Sequence, residues 1–234
     1  MKQRSFFPLL VLLATLLAGI ACNDSRPRPK QVQSFGQRQL DQLLADRPEM
    51  RGAIPAAHPV VSWVTAAFDG STLGHRVYWN ASPPQSGRPA EHAPPYAGYP
   101  AHISISGESD ETPLDKWASL VYEFHNLENS LQFEEVQTRA IRGKIDADEF
   151  ASECVRLEFE ALERTRDYFF TTPLTTQSNS RDHFYNWVTN DLGTFEEYEA
   201  AFQVPWTNYS NSNFEYFRDY YETELVPYAA ALAR

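Results

Sequence analysis

The sequence predicts an α+β fold that is mostly α: a small N-terminal β-sheet, then a long helical hairpin, then short C-terminal helices. Seven of the 16 prolines fall between residues 83 and 113, whereas residues 114–172 contain none. Short apolar runs precede Pro113, and apolar residues recur at helical spacing after it. Because proline is excluded from helix interiors, this change in composition separates a sheet region from a helical region.

Three segments before Pro113 are predicted to be strands. Residues 59–68 and 75–80 each contain β-branched and aromatic residues and are joined across the turn residues 69–74. Residues 101–106 alternate between apolar and polar side chains, as a half-buried strand does. The proline-rich stretch 83–100 is predicted to be a long surface loop between the strands.

The first helix of the hairpin is predicted to run from Pro113 to Gly143. Thr112 is a suitable cap, Pro113 suits the first helical position, and Gly143 supplies a stop. The apolar residues at helical spacing are Leu114, Trp117, Val121, Phe124 and Leu131.

The second helix is predicted to begin at Asp146, because Glu149 three residues later completes a capping box. One face of this helix carries Phe150, Cys154, Leu157, Ala161 and Tyr168, so Cys154 is expected to be a buried free thiol. Residues 174–234 are predicted to form short helices and polar turns, with helices at 194–202 and 213–225.

The first 21 residues have the pattern of a secretion signal, because Lys2 and Arg4 precede an apolar run that ends in small residues. This run, residues 6–21, is shorter than the roughly 20 residues that span a bilayer as a helix. We expect residues 1–21 to be a signal peptide, residues 22–35 a lipid anchor and tether, and residues 36–234 a single globular α+β domain.

The end of this signal, residues 17–22, resembles the lipobox of bacterial lipoproteins, in which the cysteine becomes the lipid-modified first residue. Ala21 fits the pattern, whereas Gly19 stands where that family usually has leucine. The resemblance implies an exported chain that is anchored to a membrane through Cys22 and faces the periplasm or the cell surface. Cleavage after Ala21 without lipidation is the alternative.

The charge of the chain argues against one class of partner. The formal net charge is −11, and loss of the signal would remove Lys2 and Arg4 but no acidic residue. A nucleic acid is therefore not an expected partner. The only cysteines are Cys22 and Cys154, so lipidation of Cys22 would leave no disulfide.

The predicted order of strand 101–106, a helix with Glu123 and a helix with Glu158 resembles the core of small zincin-type metallopeptidases. That core has a strand, a helix carrying His-Glu-x-x-His, and a helix that supplies a third ligand. On this pattern Glu123 takes the place of the general base and Glu158 that of the downstream ligand. Tyr122 and Asn126 stand where the two metal-binding histidines would be. The resemblance therefore implies a scaffold with no metal and no cofactor; an unrelated amphipathic hairpin is the alternative.

Glu158 is expected on the apolar side of its helix, and a carboxylate there needs a partner. It is either a ligand or acid/base group, or a buried side chain that is hydrogen-bonded to the first helix. The polar stripe on the first helix faces water or, if Glu158 packs against it, forms an internal network that fixes the core or lines a cleft. The members of this stripe are Tyr122, Glu123, Asn126 and Asn129.

Two further sites are open to interpretation. His125 and Glu128, three residues apart, could join Glu158 in a carboxylate-rich iron or manganese site. The histidines at 58, 75, 92, 102 and 183 show no ligand spacing.

The aromatic C-terminal region offers Trp206 as a candidate for stacking on a sugar.

The expected function is that of a non-catalytic binding or interaction module in the cell envelope, on a degenerate zincin-like scaffold. The alternatives are a hydrolase that uses Glu123 and Glu158 as an acid/base pair, and a glycan-binding lipoprotein. The expected partners are the membrane and a protein or glycan of the envelope.

Overall fold

Helices dominate the structure and a small sheet accompanies them, so the predicted α+β, mostly α class is confirmed. The computed structural model describes residues 33–84, 89–95, 98–108, 111–174, 194–202 and 213–232. The described elements belong to one compact unit, Gln33–Arg234. None of the described helices combines the length and the apolar content that a membrane span requires.

Two packed helices precede the sheet. Helix α1 (Phe35–Asp46), which the sequence patterns did not predict, is capped by the Ser34 side chain, and a short 3-10 helix follows at Pro48–Met50. Helix α2 (Pro59–Asp69) occupies the segment predicted to be the first strand, so that prediction is wrong. A Cβ atom at Gly36 would lie 2.0 Å from the carbonyl oxygen of Thr65, so α1 approaches α2 closely only because glycine is there.

The residues at both ends of α2 explain why this apolar run is helical. Pro59 is at the first helical position, and the Nδ1 atom of His58 accepts a hydrogen bond from the backbone N–H of Val60. Gly70 ends the helix in the left-handed conformation, with φ of +85°. These caps outweigh the strand preference of the β-branched residues in the run.

The sheet has three strands, β1 (Val77–Trp79), β2 (Ala90–Ala93) and β3 (Ala101–Ile105), in the order β1-β3-β2. β1 is parallel to the central strand β3, and β2 is antiparallel to it. The predictions of β1 and β3 are confirmed. β2 lies within the segment predicted to be a loop, and its pairing with β3, in which His92 lies opposite Ile103, places it in the sheet.

The hairpin contains three helices rather than two: α3 (Pro113–Glu128), α4 (Ser130–Ile141) and α5 (Ala147–Thr171). The predicted capping residues Thr112 and Asp146 both form capping boxes, and Cys154 is buried as expected. The first predicted helix is interrupted at Asn129, whose side chain donates to the carbonyl oxygen of Leu157 on α5 at 2.7 Å. This tertiary contact explains a break that the spacing of apolar residues does not predict.

The C-terminal helices are α6 (Phe195–Phe202), α7 (Asn213–Tyr220) and α8 (Val226–Leu232), with a π-helical segment at Tyr221–Leu225 between α7 and α8. The helices predicted at 194–202 and 213–225 are therefore present. Aromatic side chains pack α7 and the π-helical segment on α5, where Phe150 contacts Phe217, Tyr220 and Tyr221.

Helix α3 lies at the centre of the largest core. Trp117 and Phe124 are buried on it, and Phe124 packs edge-on against Phe68 of α2 at 5.0 Å between ring centroids. Because α3 also contacts β2 and α5, its polar side chains on those sides are enclosed by the protein.

Candidate functional site

A cluster of polar side chains lies where α3 meets α5 and β2. Helix α3 contributes Tyr122, Glu123 and Asn126, helix α5 contributes Glu158, and strand β2 contributes His92. We call these five residues the Glu123–Glu158 cluster. The polar stripe on α3 is thus an internal network, which is one of the two arrangements that the sequence allows.

Glu158 is held by two donors from α3. The Tyr122 hydroxyl and the Asn126 Nδ2 atom both donate to the same carboxylate oxygen, Oε2, with a distance of 3.0 Å from Nδ2. Burial, and next the negative charge of Glu123, raise the pKa of Glu158 despite these hydrogen bonds. Residues one turn apart on α3 therefore converge on a single oxygen atom.

Glu123 is paired with His92 across the gap between α3 and the sheet. The Nδ1 atom of His92 lies 2.7 Å from Oε2 of Glu123, and because an ionised carboxylate only accepts hydrogen bonds, Nδ1 is the donor. Burial opposes the charged form of His92, but the hydrogen bond that His92 donates to Glu123 and the charges of Glu123, Glu158 and Glu91 raise the pKa of His92. His92 therefore joins strand β2 to helix α3 through this contact with Glu123.

Tyr198 of α6 lies beside Tyr122 and Glu158 and is only 1% exposed. Burial, and then the charge of Glu158, raise the pKa of both tyrosine hydroxyls, so both are protonated at neutral pH. The side chains of His92 and Glu123 are 17% and 9% exposed, and Tyr122 and Glu158 are also only partly buried. The cluster lies just beneath the surface at β2.

One polar atom of the cluster is unpartnered. Asn126 is 1% exposed, and its Oδ1 atom has no hydrogen-bond partner among the described residues. The contact between Nδ2 and Glu158 fixes the orientation of the amide, because the reverse orientation would place two acceptors against each other. Oδ1 is therefore a buried acceptor that the described residues leave without a donor.

Asn129, the last member of the predicted stripe, makes different contacts. It is fully buried, its Nδ2 atom donates to Leu157, and Arg164 donates to its Oδ1 atom. Because these contacts join the end of α3 to α5, the structure gives Asn129 a role in helix packing, and its prediction as a binding residue gains no support.

The side chain of His125 contacts Glu128 on its own helix and the ring of Trp63 on α2. Its Nδ1 atom lies 3.1 Å from Oε2 of Glu128, and its ring is 5.2 Å from that of Trp63. No group of three His, Cys, Asp or Glu side chains in the described ranges is arranged to hold a metal ion. The iron or manganese site proposed from His125, Glu128 and Glu158 is therefore wrong.

His92 is the site residue that sequence reasoning missed. It was assigned to a loop or strand surface with no ligand spacing, and only the register of β2 on β3 brings it to Glu123. Two candidates, Cys22 and Trp206, lie outside the described residues.

Glu111, at the entry to α3, is a partly buried carboxylate near the cluster. Ser119 Oγ donates to its Oε1 atom at 2.8 Å, while Oε2 has no partner among the described residues. Burial raises the pKa of Glu111 to about 7. The carboxyl group of Glu111 therefore titrates near neutral pH, in contrast to an exposed glutamate.

Two carboxylates of the cluster accept hydrogen bonds, so the cluster can hold a hydrogen-bond donor or a proton between α3 and α5.

Comparisons of the chain with protein-family models, with curated proteins and with solved structures found no match.

Proposed function

We propose that the protein is an exported envelope lipoprotein, anchored through lipid on Cys22, whose folded part is a non-catalytic binding module on a zincin-like scaffold without a metal. The observation that carries this proposal is the double hydrogen bond from Tyr122 and Asn126 to Oε2 of Glu158. The three residues occupy the positions that the zincin pattern gives to its three ligands. Hydrogen bonds hold them together where a metal ion would do so in that family.

The order of elements supports the same proposal. Strand β3 precedes α3, which carries Glu123, and α5 carries Glu158. Catalytic zinc sites use three protein ligands and leave a fourth position open to water. A phenol and a carboxamide are poor replacements for two imidazoles, so this scaffold lacks the means to activate water through zinc.

The membrane anchor is tested by one substitution. Full-length protein is expected to partition into the detergent phase, and Cys22→Ala protein is expected to be soluble after export, because the acyl chains supply the membrane affinity. Phase partitioning and fractionation of expressing cells measure the difference. Equal membrane association of the two proteins would refute lipidation at Cys22.

A hydrolase is the second candidate, favoured by the unequal environments of the two carboxylates. Glu158 is partly buried and has a raised pKa, whereas Glu123 is paired with His92. Such a difference can separate a general acid from a general base. This alternative predicts an activity against ester, peptide or glycosidic substrates that both Glu123→Gln and Glu158→Gln abolish while the exposed Glu160→Gln does not. Our proposal predicts that purified wild-type protein has no such activity.

A further inference from the structure

An aromatic and basic surface lies where the folded part of the chain begins. Phe35 of α1 and Tyr78 of β1 pack edge to face, with 4.9 Å between their ring centroids. The guanidinium carbon atoms of Arg38 and Arg76 lie 5.9 and 4.9 Å from the centre of the Phe35 ring, within the range of a cation–π contact. We call these four residues the Phe35 surface.

The Phe35 surface is open to solvent. Arg38 and Arg76 are exposed, Tyr78 is 39% exposed and Phe35 is half-buried. Among the described residues, no carboxylate forms an ion pair with either arginine. No salt bridge in that part of the chain therefore competes with an external anion for the two guanidinium groups.

The two segments that form this surface differ in charge from the rest of the chain. Residues 33–40 and 70–80 contain two arginines and no acidic residue, in a chain with 31 acidic and 20 basic residues. The acidic groups next to them in sequence, Asp41 and Asp69, accept hydrogen bonds from Gln37 and from the backbone of Gly36. Because those two carboxylates remain close, aromatic contacts as well as charge must contribute to binding at this surface.

The chain enters its folded part beside the Phe35 surface. Arg38 donates from Nη1 to the backbone carbonyl oxygen of Gln33 at 2.6 Å, so the start of the described chain lies next to this arginine. Residues 22–32 precede Gln33, and covalent geometry limits the distance from Cys22 to Gln33 to about 40 Å. This segment carries three basic residues and one acidic residue, which are Arg26, Arg28, Lys30 and Asp24. A lipid on Cys22 would therefore keep the Phe35 surface near a membrane.

We propose that the Phe35 surface docks on the phosphate headgroups of anionic lipids in the membrane that anchors the chain. Arginine matches phosphate oxygens with parallel N–H donors. Tyrosine is favoured at the level of the headgroups, because its ring is apolar and its hydroxyl is polar. This inference rests on the proposed lipid anchor and names the surface through which the folded part meets the membrane.

Fluorescence quenching in vesicles tests the docking. The lipidated protein carries a fluorophore at Thr72→Cys, an exposed position in the turn before Arg76, and the buried thiol of Cys154 is protected from the label. The vesicles contain phosphatidylcholine and phosphatidylglycerol, with a nitroxide quencher on some of the headgroups. Strong quenching at residue 72 is expected. It should decrease at high salt and in vesicles of phosphatidylcholine alone, because the attraction between charges is then screened or absent.

Paired substitutions locate the surface. Arg38→Gln with Arg76→Gln is expected to lower the ratio of docked to undocked protein by about tenfold or more, because cationic side chains near an anionic membrane add to its attraction. The matched control is Arg142→Gln with Lys144→Gln, which removes two exposed positive charges between α4 and α5 and should dock as wild type does. The circular dichroism spectra of both pairs should match that of wild type.

Flotation of the same vesicles separates the docking surface from the anchor. Protein that floats but shows equal quenching for the Arg38/Arg76 pair and the control pair would overturn the docking surface and leave the anchor intact. Equal quenching in anionic vesicles and in vesicles of phosphatidylcholine alone would also overturn it, because the surface would not recognise anionic headgroups. Protein that does not float with the vesicles would refute the lipid anchor, and this inference with it.

Discussion

Zinc is expected to bind tightly to the double variant Tyr122→His with Asn126→His. The side chains at these positions already meet at Oε2 of Glu158. Two imidazoles one turn apart on a helix, with a carboxylate facing them, form the three-ligand set that catalytic zinc sites use. Zinc at about 100 times its dissociation constant would stabilise the variant by about 2.7 kcal/mol, measurable as a rise in melting temperature.

The control for this experiment removes the third ligand. Adding Glu158→Gln to the double variant is expected to lose most of the zinc affinity, and wild-type protein should show no change in melting temperature with zinc or with a chelator. A double variant that is destabilised and gains no zinc binding would show that positions 122, 126 and 158 do not have zincin geometry.

The melting temperature of the wild-type protein is expected to be higher near about pH 5 than near about pH 8. Burial raises the pKa of Glu111 to about 7 and raises that of Glu158, so the folded state binds protons more tightly there than the unfolded state does. Their ionisation therefore costs stability as pH rises above the unfolded value of 4.5. His92 acts in the same direction. The stability that it contributes to the folded state is complete below pH 6.5 and is lost as the pH rises through its raised folded pKa.

Glu111→Gln isolates one part of this pH dependence. The glutamine oxygen can still accept from Ser119, but the group no longer ionises, so the variant should be more stable than wild type near about pH 8 and nearly unchanged near about pH 4.5. The gain in the free energy of unfolding is at most about 3 kcal/mol, and solvent near this partly buried side chain reduces that gain. Glu49 has a lowered pKa and opposes the trend. A wild-type melting temperature that rises from pH 5 to 8 would contradict the account.

Local signals in the sequence were sufficient to predict where α3 and α5 begin. The capping residues Thr112 and Asp146 and the buried stripe that contains Cys154 are encoded within a few residues of where they act. Helix α2 was missed because short apolar runs fit either a helix or a strand. Pro59 and Gly70 at its two ends were the signals that could have identified it.

The cluster could be predicted only in part. Helical spacing indicates that Tyr122 and Asn126 share a face, and Glu158 on the apolar side of its helix requires a partner such as these, so the two hydrogen bonds to Glu158 follow from local reasoning. His92 does not, because the segment Ala90–Ala93 has little strand preference and joins the sheet only by pairing with β3. The break at Asn129 likewise depends on a contact with α5, 28 residues away in sequence.

Elemental analysis of the wild-type protein tests the central claim most directly. The full chain, purified without chelators, is expected to contain no stoichiometric zinc, because the Tyr122 and Asn126 side chains that donate to Glu158 are a phenol and a carboxamide rather than imidazoles. One tightly held zinc ion per chain would contradict the account. It would make the protein a metal-dependent enzyme candidate, with Glu123 as its general base.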